Sequence, residues 1–217
     1  RPASLVAAMR HGALNGGKRL RPFLTVEAAR LLGAEGRGVL RAACAVELVH
    51  CYSLVHDDLP CFDDAATRRG QPTVHKAFGE PLALLCGDAL IVMAYQVLTD
   101  AAAPYPRRLA GLIKNLSQGV GLPHGIVAGQ AWECETRADL AQYQKSKTGA
   151  LFVASVRAGA LACGQDEQPW SLFGESLGHA YQVADDIRDV IGQSAALGKP
   201  AGQDQLLGRP NAMAALG

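Results

Sequence analysis

Residues Leu54–Gly70 read LVHDDLPCFDDAATRRG, and the fold is decided by how this stretch is read. It follows the run AACAVELVHCYSLV (42–55), part of an apolar segment over 38–56 that reads as a buried helix and that Pro60 must end or bend. Asp57, Asp58, Asp63 and Asp64 fall within eight residues at its end, with Arg68 and Arg69 close behind. Carboxylates that close repel one another, and burying one without a partner is expensive. A lone Asp-Asp pair reads as a helix cap or a solvated face. Four acids delivered by an apolar helix call for cations.

A second cluster strengthens this reading. In YQVADDIRDV (181–190), Asp185 and Asp189 stand four apart on one helix face, with Asp186 beside them, again in apolar surroundings. Oxygen donors without His or Cys favour Mg²⁺, an ion typically shared with substrate phosphates. A di-iron bundle needs two Glu-x-x-His pairs, and the sequence holds one, Glu47-x-x-His50, with none at the second cluster. The two clusters predict a pocket with acidic walls that holds metal ions and, through them, a phosphorylated ligand.

Working outward, helical periodicity dominates. Leu5, Met9 and Ala13 lead to a loop at NGGKRLRP, FLTVEAARLLG (23–33) reads as a helix closed by Gly33, and further helices are expected over 80–99, 106–119, 137–163 and 168–191. Alternating β-branched runs are nearly absent. The 217 residues, 49% hydrophobic, suffice for one sizeable core, so the expectation is a single all-α domain over 1–217, a bundle with apolar inner helices.

Charge and cysteine content narrow the classes. With 21 basic against 20 acidic residues the net charge is +1, which gives no global field for nucleic acid or an anionic membrane. The longest apolar run, PLALLCGDALIVMAYQVL (81–98), is interrupted by Asp88 and reads as too short and mixed to span a membrane. Six cysteines without a C-x-x-C pair read as buried free thiols of a cytosolic protein.

The basic residues are local. GALNGGKRLRP (12–22) matches G-x-x-x-x-G-K, but Arg19 stands where a P-loop needs Ser or Thr, and a helix, not a strand, precedes it. The simpler reading is an anion-binding loop with Lys18 and Arg21 on a phosphate. Arg68, Arg69, Lys147 and Lys199 add cations near the acidic motifs, an arrangement that suits two polyanions, one held through metal and one by cations alone.

Taken in order, GGKRLRP, DDLPCFDD as D-D-x-x-x-x-D, RRG, KTG and YQVADDIRD as D-D-x-x-D resemble the trans-isoprenyl diphosphate synthases, the bacterial-type farnesyl and geranylgeranyl diphosphate synthases. The resemblance runs over the whole chain. It implies an isoprenoid synthase-type bundle of mostly antiparallel helices around a central cavity, in a cytoplasmic homodimer, and a chain cut at both ends. It further implies that Asp57, Asp58 and Asp63, with Asp185, Asp186 and Asp189, bind Mg²⁺, and that Arg68, Lys147 and Lys199 contact an allylic diphosphate. Gly17, Lys18, Arg21, His50 and Arg69 match the isopentenyl diphosphate pocket. Thr148 and Gln182 match groups near the developing carbocation, and Gln130 a support for the lysine or the cation region; Asp64 is a helper or a cap and His56 structural.

Two features bear on the product. Tyr52, followed by small Ser53, stands five residues before Asp57, about 7.5 Å along a helix axis. In the enzymes it resembles, a bulky residue here floors the tail pocket, which favours farnesyl diphosphate. Glu133 in GQAWECE, where many relatives place Asp, and Arg209 in LLGRPNA depart from the farnesyl pattern, and the flanking motifs look more like geranylgeranyl synthases of carotenoid-making bacteria. A terpene cyclase would not need the Lys18/Arg21 pocket, and a non-catalytic subunit would be expected to lose DDIRD.

Overall fold

The computed structural model of the protein describes residues 2–136 and 139–191. Helices α1 (Ala3–Leu14), α2 (Leu20–Leu31) and α3 (Arg37–Asp57) are followed by a two-stranded hairpin, β1 (Thr67–Arg68) and β2 (Gln71–Pro72), and by α4 (Val74–Phe78) and α5 (Glu80–Ala102). Then come α6 (Leu109–Val120), α7 (Ile126–Ala131), α8 (Leu140–Gln144), a π-helical turn (Lys145–Gly149), α9 (Ala150–Cys163) and α10 (Pro169–Ile191). The all-α expectation holds. Helix α3 packs most extensively on α5, while α9 is the hub that touches α2, α3, α6 and α10. Val46, Val49, Leu90, Leu98, Leu116 and Leu151 fill the seam between them, each worth about 1.5–3 kcal/mol against exposure.

Helix boundaries follow local chemistry. Helix α2 starts at Leu20, three residues before the expected Phe23, because Pro22 in a first turn lacks only an N–H that has no intrahelical acceptor. It ends as expected at Gly33, whose φ of +73° allows a Schellman turn in which Gly33 N–H donates to Arg30 O and Ala34 N–H to Ala29 O. The expected helix over 137–163 is, where described, interrupted by the π-turn, and the one over 106–119 begins as a 3₁₀ turn, Pro106–Arg108. The hairpin, α4 and α7 have no counterpart in the sequence reading. Their segments are too short to show a period.

Two expectations are corrected. Cys44, Cys61 and Cys134 are exposed and Cys163 is partly so; Cys51 and Cys86 are buried. The apolar run of α5 is not too short: it continues to Ala102, and both α3 and α5 are long and apolar enough to cross a membrane by length and composition alone. Here they are packed on each other, and α3 delivers the first acidic cluster.

Candidate active site

Helix α3 ends on Asp57, and the chain then coils back. Asp58 N–H donates to Leu54 O, Asp64 N–H to Leu59 O, and Asp63 N–H to Asp57 O at 3.0 Å. That last bond brings the first and last acids of D-D-x-x-x-x-D together, at the helix end where the backbone dipole already disfavours negative charge. Asp57, Asp63 and Glu133 each offer an oxygen within 4.8 Å of the others. Asp58 turns away from them: it is 3% exposed and accepts from Arg68 Nε at 2.7 Å and Nη2 at 2.6 Å. Burial pushes the Asp58 carboxyl up, Arg68 pulls it back, and Asp57 and Asp63 push again. Asp64 is exposed, in a left-handed conformation, and pairs with Lys76 at 2.9 Å.

The hairpin exists to aim two arginines. Arg69 and Gly70 both have positive φ, +54° and +75°, as a tight type I′ turn requires. Arg68 then faces the acids, with Nη2 3.7 Å from Asp57 and 4.0 Å from Asp63. Arg69 faces the other way, donating to Asn15 Oδ1 at 3.0 Å and Gly16 O at 2.6 Å.

The π-turn carries the next contacts. Lys147 Nζ donates to Asp57 Oδ1 at 3.2 Å and to Glu133 Oε1 at 2.5 Å. Glu133 also accepts from Tyr143 Oη at 2.7 Å and Gln130 Nε2 at 2.8 Å. The next residue, Thr148, donates its hydroxyl to Gln182 Oε1. Gln182 in turn donates to Asp186 Oδ1 at 2.7 Å, and Gln144 Nε2 to Asp186 Oδ2 at 3.0 Å. The two acidic clusters are thus joined through adjacent residues of a wide helical turn, a feature that recurs at functional sites. Buried Asp186 has an amide donor on each oxygen; Asp185 is half-buried and acts on the Arg21 charge. Asp189 lies on α10 with its side chain outside the described residues, and Lys199 lies outside them altogether.

The basic loop packs on aromatic rings. Arg21 stacks 4.8 Å over Phe152 and hydrogen-bonds His50 Nε2 at 3.3 Å, while Lys18 lies 5.8 Å over Tyr181. Phe152 and Tyr181 touch each other, with centroids 5.1 Å apart. Burial, then Arg21, Arg69, Arg68 and Arg19, hold the His50 imidazole well below the usual histidine pKa, so it is neutral. Gly17, at φ +103°, lies against the Arg69 guanidinium, which a β-carbon would overlap. His56 bonds Leu84 O at 3.1 Å, and Tyr52 is buried edge-on against His56. Ser53 caps back to His50 O at 2.9 Å. A cavity of about 600 Å³ between α6, α9 and α10 borders this site at Gln144 and Gln182.

The residues fit a divalent cation. Oxygens opposed across the ion stand about 4.0–4.2 Å apart on Mg²⁺ and about 4.6–5.2 Å on Ca²⁺, and adjacent ones closer, a span that Asp57, Asp63 and Glu133 can meet, and the Lys147 ammonium already stands between two of these acids. Glu133, Tyr143, Gln144, Phe152 and Tyr181 went unassigned in the sequence, although Glu133 stood out as a departure. Each meets the site only through tertiary packing.

The family model for polyprenyl synthetase matches residues 2–216. This chain belongs to the polyprenyl synthetase family. It is 50% identical to a geranylgeranyl diphosphate synthase of Cereibacter sphaeroides, over 98% of this chain and 74% of that protein. It is 43% identical to the farnesyl diphosphate synthase of Escherichia coli, over 98% of this chain and 75% of that protein. Among solved structures it superposes on a geranyltransferase of Helicobacter pylori complexed with magnesium and isoprenyl diphosphate, with TM-score 0.82 and 36% identity, covering 93% of this chain and 71% of that one. The synthase bundle, with two acidic clusters joined across a π-turn, is therefore the scaffold of a trans-prenyltransferase.

Proposed function

We propose that this prenyltransferase, a single domain over 1–217, uses Mg²⁺ to condense isopentenyl diphosphate with dimethylallyl or geranyl diphosphate, and that its main product is farnesyl diphosphate. The observation that carries the reading is the π-turn, which sends Lys147 to the first acidic cluster and Thr148, through Gln182, to the second. Bound Mg²⁺ would neutralise charge building on the leaving diphosphate, with Asp57, Asp63 and Asp185 as ligands and Glu133 added to the set. Asp58, Asp186 and Asp189 complete the acidic motifs, Asp58 by seating Arg68 and Asp186 by orienting Gln182.

The chain's own groups supply the rest. Lys147 and Arg68, with Lys199, bind the allylic diphosphate and stabilise its developing charge, electrostatic catalysis from preorganised cations. The allylic C–O bond breaks, and the double bond of isopentenyl diphosphate closes on the cation in a site where Thr148 and Gln182 present oxygens. A proton then leaves the new chain, taken by the departing diphosphate. Lys18, Arg21, Arg69, His50 and Gly17 hold isopentenyl diphosphate without metal. Apolar helix faces exclude water from the cation.

A second product reading rests on the higher identity to the geranylgeranyl synthase, 50% against 43%. The buried ring of Tyr52, about one turn and a half before Asp57 on α3, favours the shorter product. The outward face of α5, with Leu84, Leu85, Val92 and Met93 exposed, supports a homodimer, and six unpaired cysteines support a cytoplasmic setting. The test is incubation with isopentenyl diphosphate, Mg²⁺ and each allylic primer, then sizing of the product. Chain growth supports the reaction; hydrolysis alone or no turnover overturns it.

A further inference from the structure

Helix α3 places Glu47 one turn before His50 and Cys51, on the face that meets the glycine loop. A carboxylate there is out of place. The charged side chains it meets are cations, Arg19 and Arg69, with Arg21 also within its field, and the site they build is for a polyanion, which a bare acid repels.

The contacts show what it does instead. Glu47 Oε1 takes the Arg19 Nη1 hydrogen bond and lies 4.0 Å from Arg69 Nη2. Arg19, in a left-handed backbone conformation at φ +50°, sends its other nitrogen back to Ala13 O at 2.8 Å. Its side chain is therefore tucked into the α1–α3 seam, and its neighbours Lys18 and Arg21 go to Tyr181 and to His50 and Phe152. Arg69 closes the loop from the other side through Asn15, Gly16 and the ledge of Gly17. Two guanidiniums converge on one loop, and Glu47 is the carboxylate that lets them do so.

We propose that Glu47 is a positioning residue for isopentenyl diphosphate: it binds no substrate, but pins Arg19 and Arg69 so that Lys18, Arg21 and Arg69 converge on one diphosphate. This rests on the assignment of the Gly17–Arg21 loop to that substrate.

Glu47→Gln keeps the shape and removes the charge, and the sign of its effect is decisive. Loss of positioning raises the isopentenyl diphosphate KM about tenfold, the size of one charge-assisted contact, with the allylic KM within about twofold. Mere relief of repulsion lowers that KM; a lowered or unchanged value overturns the proposal. Glu47→Asp, with charge kept and one methylene less, decides the matter if the glutamine variant does not fold: a selective rise of about threefold supports positioning, and no rise overturns it. Lys18→Ala is the control. If it raises the isopentenyl diphosphate KM while both Glu47 variants do not, the proposal fails alone. If it raises only the allylic KM, the loop assignment fails and the proposal with it.

Discussion

Lys147 and Asp57, 90 residues apart in the chain, meet at 3.2 Å between ammonium and carboxylate. The same ammonium reaches Glu133 at 2.5 Å. One cation thereby neutralises an acid at the α3 C-terminus and another beyond α7, and with Arg68 it keeps three clustered carboxylates tolerable. Removing one of those acids relieves repulsion as it removes ligands. Asp57→Ala is therefore expected to fold with a melting temperature near wild type, while turnover falls by roughly 10²–10³-fold, the size of a lost transition-state charge clamp. Near-wild-type turnover at saturating Mg²⁺ would show that Asp57 is not part of the clamp.

The same pairing makes a prediction for metal removal. In the wild type, Lys147 competes with any divalent ion for Asp57 and Glu133. Lys147→Ala leaves Asp57 with Arg68, and Glu133 with the neutral donors Tyr143 and Gln130, without the ammonium that bridges them, so the metal-free variant is less stable and gains more from Mg²⁺. The expected result is a larger rise in Tm on Mg²⁺ addition for the variant than for the wild type, since a ligand stabilises by its affinity for the folded state. An equal or smaller rise means that Lys147 and the ion do not share these oxygens.

Gly129 on α7 packs against the backbone of Lys147 so closely that a β-carbon would come within 2.7 Å of Lys147 Cβ and closer still to its main chain. Gly129→Ala must push the π-turn away. A displacement near 1 Å at a catalytic group costs roughly 10²-fold in rate, against a stability loss of about 1–3 kcal/mol for overpacking. The measurement pairs kcat with thermal unfolding; a kcat within a factor of about two of wild type would mean that the turn accommodates the methyl elsewhere.

How much of this was legible beforehand differs by kind of feature. The long helices and both aspartate motifs were readable because each is local: period in one case, spacing in the other. The return of Asp63 to Asp57 was implicit in Pro60 ending the helix, yet the partnership of Asp58 with Arg68 rather than with the other acids was not, because a hairpin with two residues per strand has no pattern to show. The π-turn at KSKTG reads as ordinary helix in sequence. Glu47, Glu133 and Gln144 were given no role in the site, since what marks them is the cation or carboxylate that another helix brings.

Neutral His50 sets a pH signature for stability. Burial, Arg21 and the other arginines lower its folded pKa well below 6.5. As pH falls through the unfolded value of about 6.5, the unfolded chain takes up a proton that the folded one refuses, so stability drops toward acid with a slope of up to about 1.4 kcal/mol per pH unit. The contribution is fully present above pH 6.5 and declines as pH falls toward the folded pKa. His50→Gln, which cannot titrate, is expected to flatten the pH 5–7 portion of a urea-unfolding series by about this slope; an unchanged slope would assign the dependence to other groups.

Chain length turns on Tyr52. Its ring is 4% exposed, packed against His56, and its buried hydroxyl has no hydrogen-bond partner among the described residues. Burial, with Tyr95 nearby, pushes the phenol pKa up, so the group is neutral and contributes volume, not polarity. Tyr52→Phe should then be neutral or stabilising, since an unsatisfied buried hydroxyl costs about 1–3 kcal/mol, and its product should match the wild type. Tyr52→Ala should lose about 3–5 kcal/mol of stability and open an apolar space beneath the reaction site. Each further CH₂ buried there gains about 0.8 kcal/mol, enough for one more five-carbon unit to be held. Chromatography of the dephosphorylated products should show farnesol from wild type and Tyr52→Phe, and geranylgeraniol rising in Tyr52→Ala. If the wild type already yields mainly geranylgeraniol, or the alanine variant yields no longer chain, the tail runs elsewhere and Tyr52 is packing alone.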